Sequence, residues 1–177
     1  QVPVDDFSQD DEIREIFVEE ATEVLESLQE NFPQWSTQPQ NIDLLKDIRR
    51  SFHTLKGSGR MVGAFMSGEL AWSIENMLNR VLDNTVSVNP TMLELITQVI
   101  DHYPALVSDF SNKQVSSFDV RPYMHVANCL AKDESIPTTE LPWAASESID
   151  ALSVQTIDVP ETSLNDKTVD EQVTTLN

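Results

Sequence analysis

Apolar positions recur along this chain at three- and four-residue steps, in blocks separated by short polar breaks. Ile13, Phe17, Ala21, Val24, Leu28 and Phe32 form the first stripe. The spacing predicts a helix that starts near Ser8 or Asp10, where Ser8 and Asp11 have capping-box spacing, and that ends at Pro33. Leu45, Ile48, Phe52, Leu55, Gly59 and Val62 make a second, single-faced stripe. Gly63 terminates it or turns the chain tightly into the next helix. Leu70, Ile74, Met77, Leu78 and Val81 carry a third helix, followed by a loop at Asp83-Asn84. Asn89 and Pro90 supply an N-cap and a first-turn proline for a fourth. Its apolar face holds Leu93, Ile96, Ile100, Tyr103, Val107 and Phe110. Pro104 lies inside this pattern and predicts a kink or local break.

Four amphipathic helices with short connections imply an all-α, antiparallel four-helix bundle. A short fifth helix is expected from Asp119 to Ala131, with Val120, Met124, Ala127 and Leu130 on one side, docked on the bundle for its stability. The helical domain then spans residues 8–131, with 10–110 as its motif-bearing core. From Lys132 the periodicity fails. Residues 132–177 read as an acidic, largely disordered linker or tail rich in Ser, Thr, Asp, Glu and Pro. Trp143 is read there as a chance aromatic, in preference to docking of Leu141 and Trp143 onto the bundle.

Charge changes this picture in one place. The chain carries 30 acidic and 11 basic side chains, a balance that argues against a nucleic-acid partner. Residues 41–61 nevertheless hold five bases (Lys46, Arg49, Arg50, Lys56, Arg60) against two acids. This basic island contains His53. All four glycines (Gly57, Gly59, Gly63, Gly68) follow that histidine closely, although a glycine costs a helix interior roughly 1 kcal/mol relative to alanine. Crowded glycines point to a close approach to the helix backbone. On a helical wheel His53 lies about 120° from the centre of the apolar face, with Arg49, Lys56 and Arg60 within about 40° of it. Gly59 belongs to the packed face and Gly57 to the open side, one turn beyond His53. Glu75 falls on the flank of the third helix. From a neighbouring helix it can reach His53, accept the Nδ1–H, and leave Nε2 as a free lone pair. An exposed, oriented imidazole beside a lysine suits phosphoryl transfer, where catalysis is chiefly positioning and electrostatics.

The run His53, Leu55, Lys56, Gly57, Ser58, Gly59 and Gly63 resembles the signature of histidine-phosphotransfer (HPt) domains, His-x-Leu-Lys-Gly-Ser-Gly-x-x-x-Gly. The opening Asp11–Ala21 is similar to the first helix of phosphotransfer domains in CheA-type kinases. Ile48–His53 looks like the Chp-type hybrid kinases of twitching motility. The resemblance implies that His53 is phosphorylated, with Lys56 and Glu75 as its functional partners. Gly57, Arg49 and Arg60 then lie where a partner approaches. Trp72 stands where some CheA domains have a second histidine, so the likeness does not extend to a two-histidine relay.

The resemblance further implies exchange of a phosphoryl group with the aspartate of a CheY-like receiver domain, or its acceptance from a kinase ATP-binding domain. No cofactor is expected on this domain, and Mg²⁺ is expected on the partner receiver. Lys56 precedes its glycines, the reverse of a nucleotide-binding loop, so no ATP site is expected here. His102, His125 and His53 show no zinc-ligand spacing, so no metal site is expected, and Cys129 reads as packing. A non-catalytic receiver-docking module is the alternative, and a metal-dependent hydrolase lacks the Glu-x-x-His pattern such bundles use. The N-terminus lacks a signal peptide and an initiating Met, and no apolar run approaches the roughly 20 residues that span a bilayer. The chain thus reads as a cytoplasmic, monomeric fragment of a CheA-like hybrid sensor kinase.

Overall fold

The predicted stripes become buried helix faces in a computed structural model of the chain, which describes residues 2–144, except at the start of the first, where Ile13 is exposed and Arg14 is buried instead. Helix α1 (Asp11–Thr37) buries Phe17, Ala21, Leu25, Leu28, Phe32 and Trp35. Helix α2 (Ile42–Val62) buries Leu45, Ile48, Phe52, Leu55, Gly59 and Val62, the predicted set. Helices α3 (Phe65–Leu82) and α4 (Pro90–Ser111) close a bundle of antiparallel neighbours, and α5 (Arg121–Ala131) packs mainly on α3, with α4 behind it. The described residues contain no strand.

The helix ends show which local signals were used. The Asn41 side chain accepts from the Leu44 N–H at 3.2 Å and caps α2, and Asn89 accepts from Met92 at 2.9 Å before Pro90. Gly63 ends α2 with φ +87°, in the left-handed region that a glycine tolerates without strain. The Ser8–Asp11 capping box does not form. Ser8 donates its N–H to Asp6, and the Asp11 carboxylate pairs with Arg14 and Lys113. Two proline expectations are corrected. Helix α1 continues past Pro33 for another turn, because Phe32 and Trp35 remain on the core face. Burying two such rings, roughly 2–3 kcal/mol each, offsets the ~3 kcal/mol cost of an interior proline. Helix α4 is likewise unbroken at Pro104, whose ring faces outward between buried Tyr103 and Leu106. The fifth helix begins at Arg121 rather than Asp119, whose carboxylate takes Arg121 instead.

Both flanks of the bundle dock more chain than the periodicity suggests. Phe7 stacks near Phe110 at 5.7 Å, the Asp6 N–H donates to the Gly63 carbonyl, and Asp5 accepts from the Met66 N–H at 2.8 Å. Asp5 thereby caps α3 from a distance, since Ala64 at the start of that helix offers no side-chain cap. Burial raises the Asp5 carboxyl above its usual value, partly countered by the backbone N–H groups of Met66 and Phe65. At the other end, the linker reading of 132–144 is corrected. A single 3-10 turn (Thr138–Glu140) follows Ile136, and Ile136 and Leu141 pack on the core. Trp143 is 9% exposed, with its ring 6.3 Å from that of Tyr123. Isolated aliphatics around Pro137 and Pro142 carry no helical or strand period, so the docking was invisible to periodicity. The remainder of the predicted disordered tail, 145–177, lies outside the described residues.

Trp143→Ala should lower stability by about 2–4 kcal/mol, as removal of a large buried ring does. Urea unfolding monitored by circular dichroism reads this. An unchanged midpoint would return 132–144 to the status of a linker.

Candidate functional site

Helices α2 and α3 form an antiparallel pair whose facing side chains make three rungs. Arg60 Nε donates to Glu69 Oε1 at 2.8 Å, His53 Nδ1 meets Glu75 Oε1 at 2.7 Å, and Arg49 Nε donates to Asn79 Oδ1 at 2.9 Å. This register places Trp72 on the level of Gly57.

The middle rung carries the chemistry. The His53 side chain is 57% exposed, whereas that of Glu75 is only 6% exposed. Lys56 Nζ lies 2.6 Å from Glu75 Oε2, so imidazole and ammonium occupy different oxygens of one carboxylate. Burial pushes the Glu75 carboxyl up, but the hydrogen bonds and charges of Lys56 and His53 together outweigh it and hold the group below its ordinary value. An ionised carboxylate only accepts hydrogen bonds. His53 Nδ1 therefore carries the proton and donates it to Oε1, and Nε2 keeps its lone pair on the solvent side. Lys56 Nζ also stands 3.3 Å from Nδ1. A protonated Nδ1 cannot accept from it, so the ammonium's partner is Glu75.

All three predicted central residues thus come together. Lys56 is engaged on the Nδ1 side of the ring, through Glu75. The flanking arginines are also engaged: Arg60 is ion-paired with Glu69, and half-buried Arg49 is held by Asn79. The basic island is thereby partly neutralised by α3. Gly57 behaves as the wheel indicated, since a Cβ built there meets no atom within 4 Å. Around it stand Trp72 and, one turn further along α2, Met61, which are 39% and 81% exposed. The site lies on the exposed face of the α2–α3 pair. A cleft of about 510 Å³ lined by Thr22, Leu25, Gln29, Pro104 and Val107 runs between α1 and α4, across the bundle from this face.

Glu69 and Asn79 were not found by sequence reasoning. The signal for them exists: once Glu75 is paired with His53, an antiparallel register aligns residues 69 and 79 with 60 and 49. The other histidines lie elsewhere. His102 stacks on Phe118 at 4.4 Å and donates Nδ1–H to the Gln98 carbonyl, and His125 faces Cys129 at 3.7 Å. Burial, then Glu134, raise the Cys129 thiol. Among the described residues no three metal-ligating side chains converge.

The profile of the Hpt domain family matches residues 12–106, more than half of the chain. The chain belongs to the Hpt domain family. Its relatives include the chemotaxis protein CheA of Listeria monocytogenes, 31% identical over 106 residues, which cover 60% of this chain and 17% of that protein. Sensor histidine kinase CheAY of Helicobacter pylori is 31% identical over 90 residues, 51% of this chain and 11% of the relative. The chain thus corresponds to less than a fifth of these proteins. The Hpt bundle also superposes on the phosphorylated P1 domain of CheA3 from R. sphaeroides, solved in complex with CheY6. The TM-score is 0.62 at 17% identity, covering 71% of this chain and all of that one, a likeness of fold. Among the described residues of this Hpt chain, no helix is long and apolar enough to cross a membrane.

Removing the ammonium leaves Glu75 buried against His53 alone. Lys56→Met should lower stability at pH 7 by about 1–3 kcal/mol. A carboxyl whose folded pKa is depressed contributes stability above its unfolded pKa and loses it as pH falls through the folded value. Lys56→Met should therefore unfold at a higher pH on the acid side than wild type, as read by acid titration of the circular dichroism signal. Coincident acid curves would show that Lys56 does not hold the carboxylate ionised.

Proposed function

We propose that this domain is a phosphocarrier of a two-component relay, with His53 as the residue that is phosphorylated. One observation carries the reading: an exposed imidazole whose Nδ1 is held by a buried carboxylate at 2.7 Å, with Nε2 free beside the open side of Gly57. The Nε2 lone pair attacks phosphorus and forms the N–P bond. The O–P bond of the donor breaks, and its electron pair leaves on the donor oxygen, an aspartate carboxylate or the β-phosphate of ADP. Positive charge developing on the ring is balanced by Glu75 through Nδ1–H. Reversal of the same steps returns the phosphoryl group to a receiver.

The donor and acceptor are a CheY-like receiver domain and a kinase ATP-binding domain. Family membership, the CheA relatives and the fold likeness to a phosphorylated P1 domain in complex with CheY6 support this partnership. An exposed site with open space over Gly57 suits a macromolecular visitor, which approaches between Arg49 and Arg60. Mg²⁺ is supplied by the receiver. The cytoplasm, where such kinases meet ATP, is the compartment proposed. The finer likeness to Chp-type kinases of twitching motility rests on Ile48–His53 alone.

Supplied with a phosphorylated receiver or a kinase core, the wild type should gain acid-labile, alkali-stable phosphate, and His53→Gln should gain none. Equal labelling of the variant would overturn the assignment of His53. Lys56→Ala should fold and slow transfer by about 10- to 100-fold, the range expected when an orienting contact is lost. Binding of receiver without any transfer by the wild type would instead support a docking module.

A further inference from the structure

Gly68 remains unexplained by the signature, by the turn and by the open side at Gly57. It lies five residues into α3's side of the hairpin and faces Gly59 of α2. A Cβ at Gly59 would meet the Gly68 N and Cα at 3.2 and 3.3 Å, and the Ala64 carbonyl oxygen at 3.2 Å. A Cβ at Gly68 would meet the Arg60 Cγ and N at 3.1 and 3.2 Å, and the Lys56 carbonyl oxygen at 3.4 Å. The two helices thus touch backbone to backbone here, against the very turn of α2 that carries Lys56.

We propose that Gly68 is a positioning residue for His53. By letting α3 rest directly on the α2 backbone, it sets the gap that Glu75 must cross. The lever is favourable. At 1.5 Å rise per residue, Gly68 lies about 7.5 Å and Glu75 about 18 Å beyond the Gly63 turn, so a displacement at Gly68 grows roughly 2.4-fold at Glu75. Contacts of 3.1–3.2 Å require neighbours to give by a few tenths of an ångström. Pivoted about the turn, that becomes about 0.5–1 Å at Glu75. A 2.7 Å hydrogen bond then stretches past the ~3.2 Å at which such bonds end. The Nδ1–H tautomer loses its anchor, and Nε2 loses its fixed direction.

This inference rests on His53 being the phosphoacceptor, and its test separates the two. Gly68→Ala replaces a poor helix former by a good one, which offsets the tight crossing, so its thermal unfolding should stay within a few degrees of wild type. Nitrogen-15 NMR of the His53 ring in the unphosphorylated domain reads the tautomer without any phosphotransfer. Wild type should hold the Nδ1–H form, and Gly68→Ala should show a mixture. Labelling by a kinase core should fall about 10- to 100-fold in the variant, the cost of misplacement on the ångström scale. A folded Gly68→Ala with wild-type tautomer and wild-type labelling overturns the proposal. If Gly68→Ala does not fold, Glu75→Asp withdraws the carboxylate by about one methylene while leaving the crossing intact. A wild-type tautomer and rate in Glu75→Asp also overturn the proposal, because the gap would then not matter. A tautomer shift in Gly68→Ala in a domain whose wild type accepts no phosphate would refute the phosphocarrier reading and leave the positioning intact.

Discussion

The buried carboxylate of Glu75 is the constraint around which the α2–α3 pair is organised. It sits nearly out of solvent with one oxygen on Lys56 and the other on His53. Moving a carboxylate from water into such a site is expensive, and a single partner rarely repays the cost. Two donors from one helix turn do, because His53 and Lys56 are three residues apart and reach the same side of α3. The pairing fixes the register of the two helices more sharply than their apolar faces can. Leucine and isoleucine faces tolerate small slides, but a carboxylate displaced by one helix residue would lose both partners.

That constraint also divides the imidazole into two halves. Nδ1 belongs to the protein interior and its proton is committed. Nε2 belongs to the solvent and to whatever docks over Gly57. A histidine on a loop could be equally exposed, but its ring would have to be oriented at each encounter. On the middle of a long packed helix, with its backbone fixed by buried Phe52 and Leu55 on either side, the ring is oriented beforehand. Exposure and order are ordinarily opposed. Here a buried second group supplies the order, so the reactive one can remain exposed.

Most of this was legible from residue order alone, for identifiable reasons. The face of α2 was read residue for residue, since its apolar positions are isolated between charges. His53, Glu75 and Gly57 followed from the wheel, because helix geometry converts sequence offset into direction with little error. What failed was what depends on the partner surface. Pro33 reads as a stop until Trp35 is seen to need burial beyond it. Ser8 and Asp11 read as a capping box until Asp6 and Arg14 claim them. Trp143 has no periodic neighbours, so its seat against Tyr123 exists only once α5 is folded. Lys56 was placed correctly, but its partner could be decided only when Glu75 was found to have a second oxygen with no other way of being satisfied.

The glycines illustrate the same limit in one short stretch. Four residues of one type have four different surroundings. Gly57 faces open space, Gly63 needs a positive φ, Gly59 faces the backbone of Gly68, and Gly68 faces α2 at Arg60 and Lys56. Composition sees only a weak helix. The wheel separates Gly57 from Gly59, since they differ in direction on a single helix. It cannot separate Gly68 from an ordinary surface position, because the reason for Gly68 lies nine residues earlier on another helix. A residue whose purpose is to be absent from a crossing leaves no mark on its own periodicity. Its meaning comes from the distance it allows, and that distance is the one across which Glu75 holds His53.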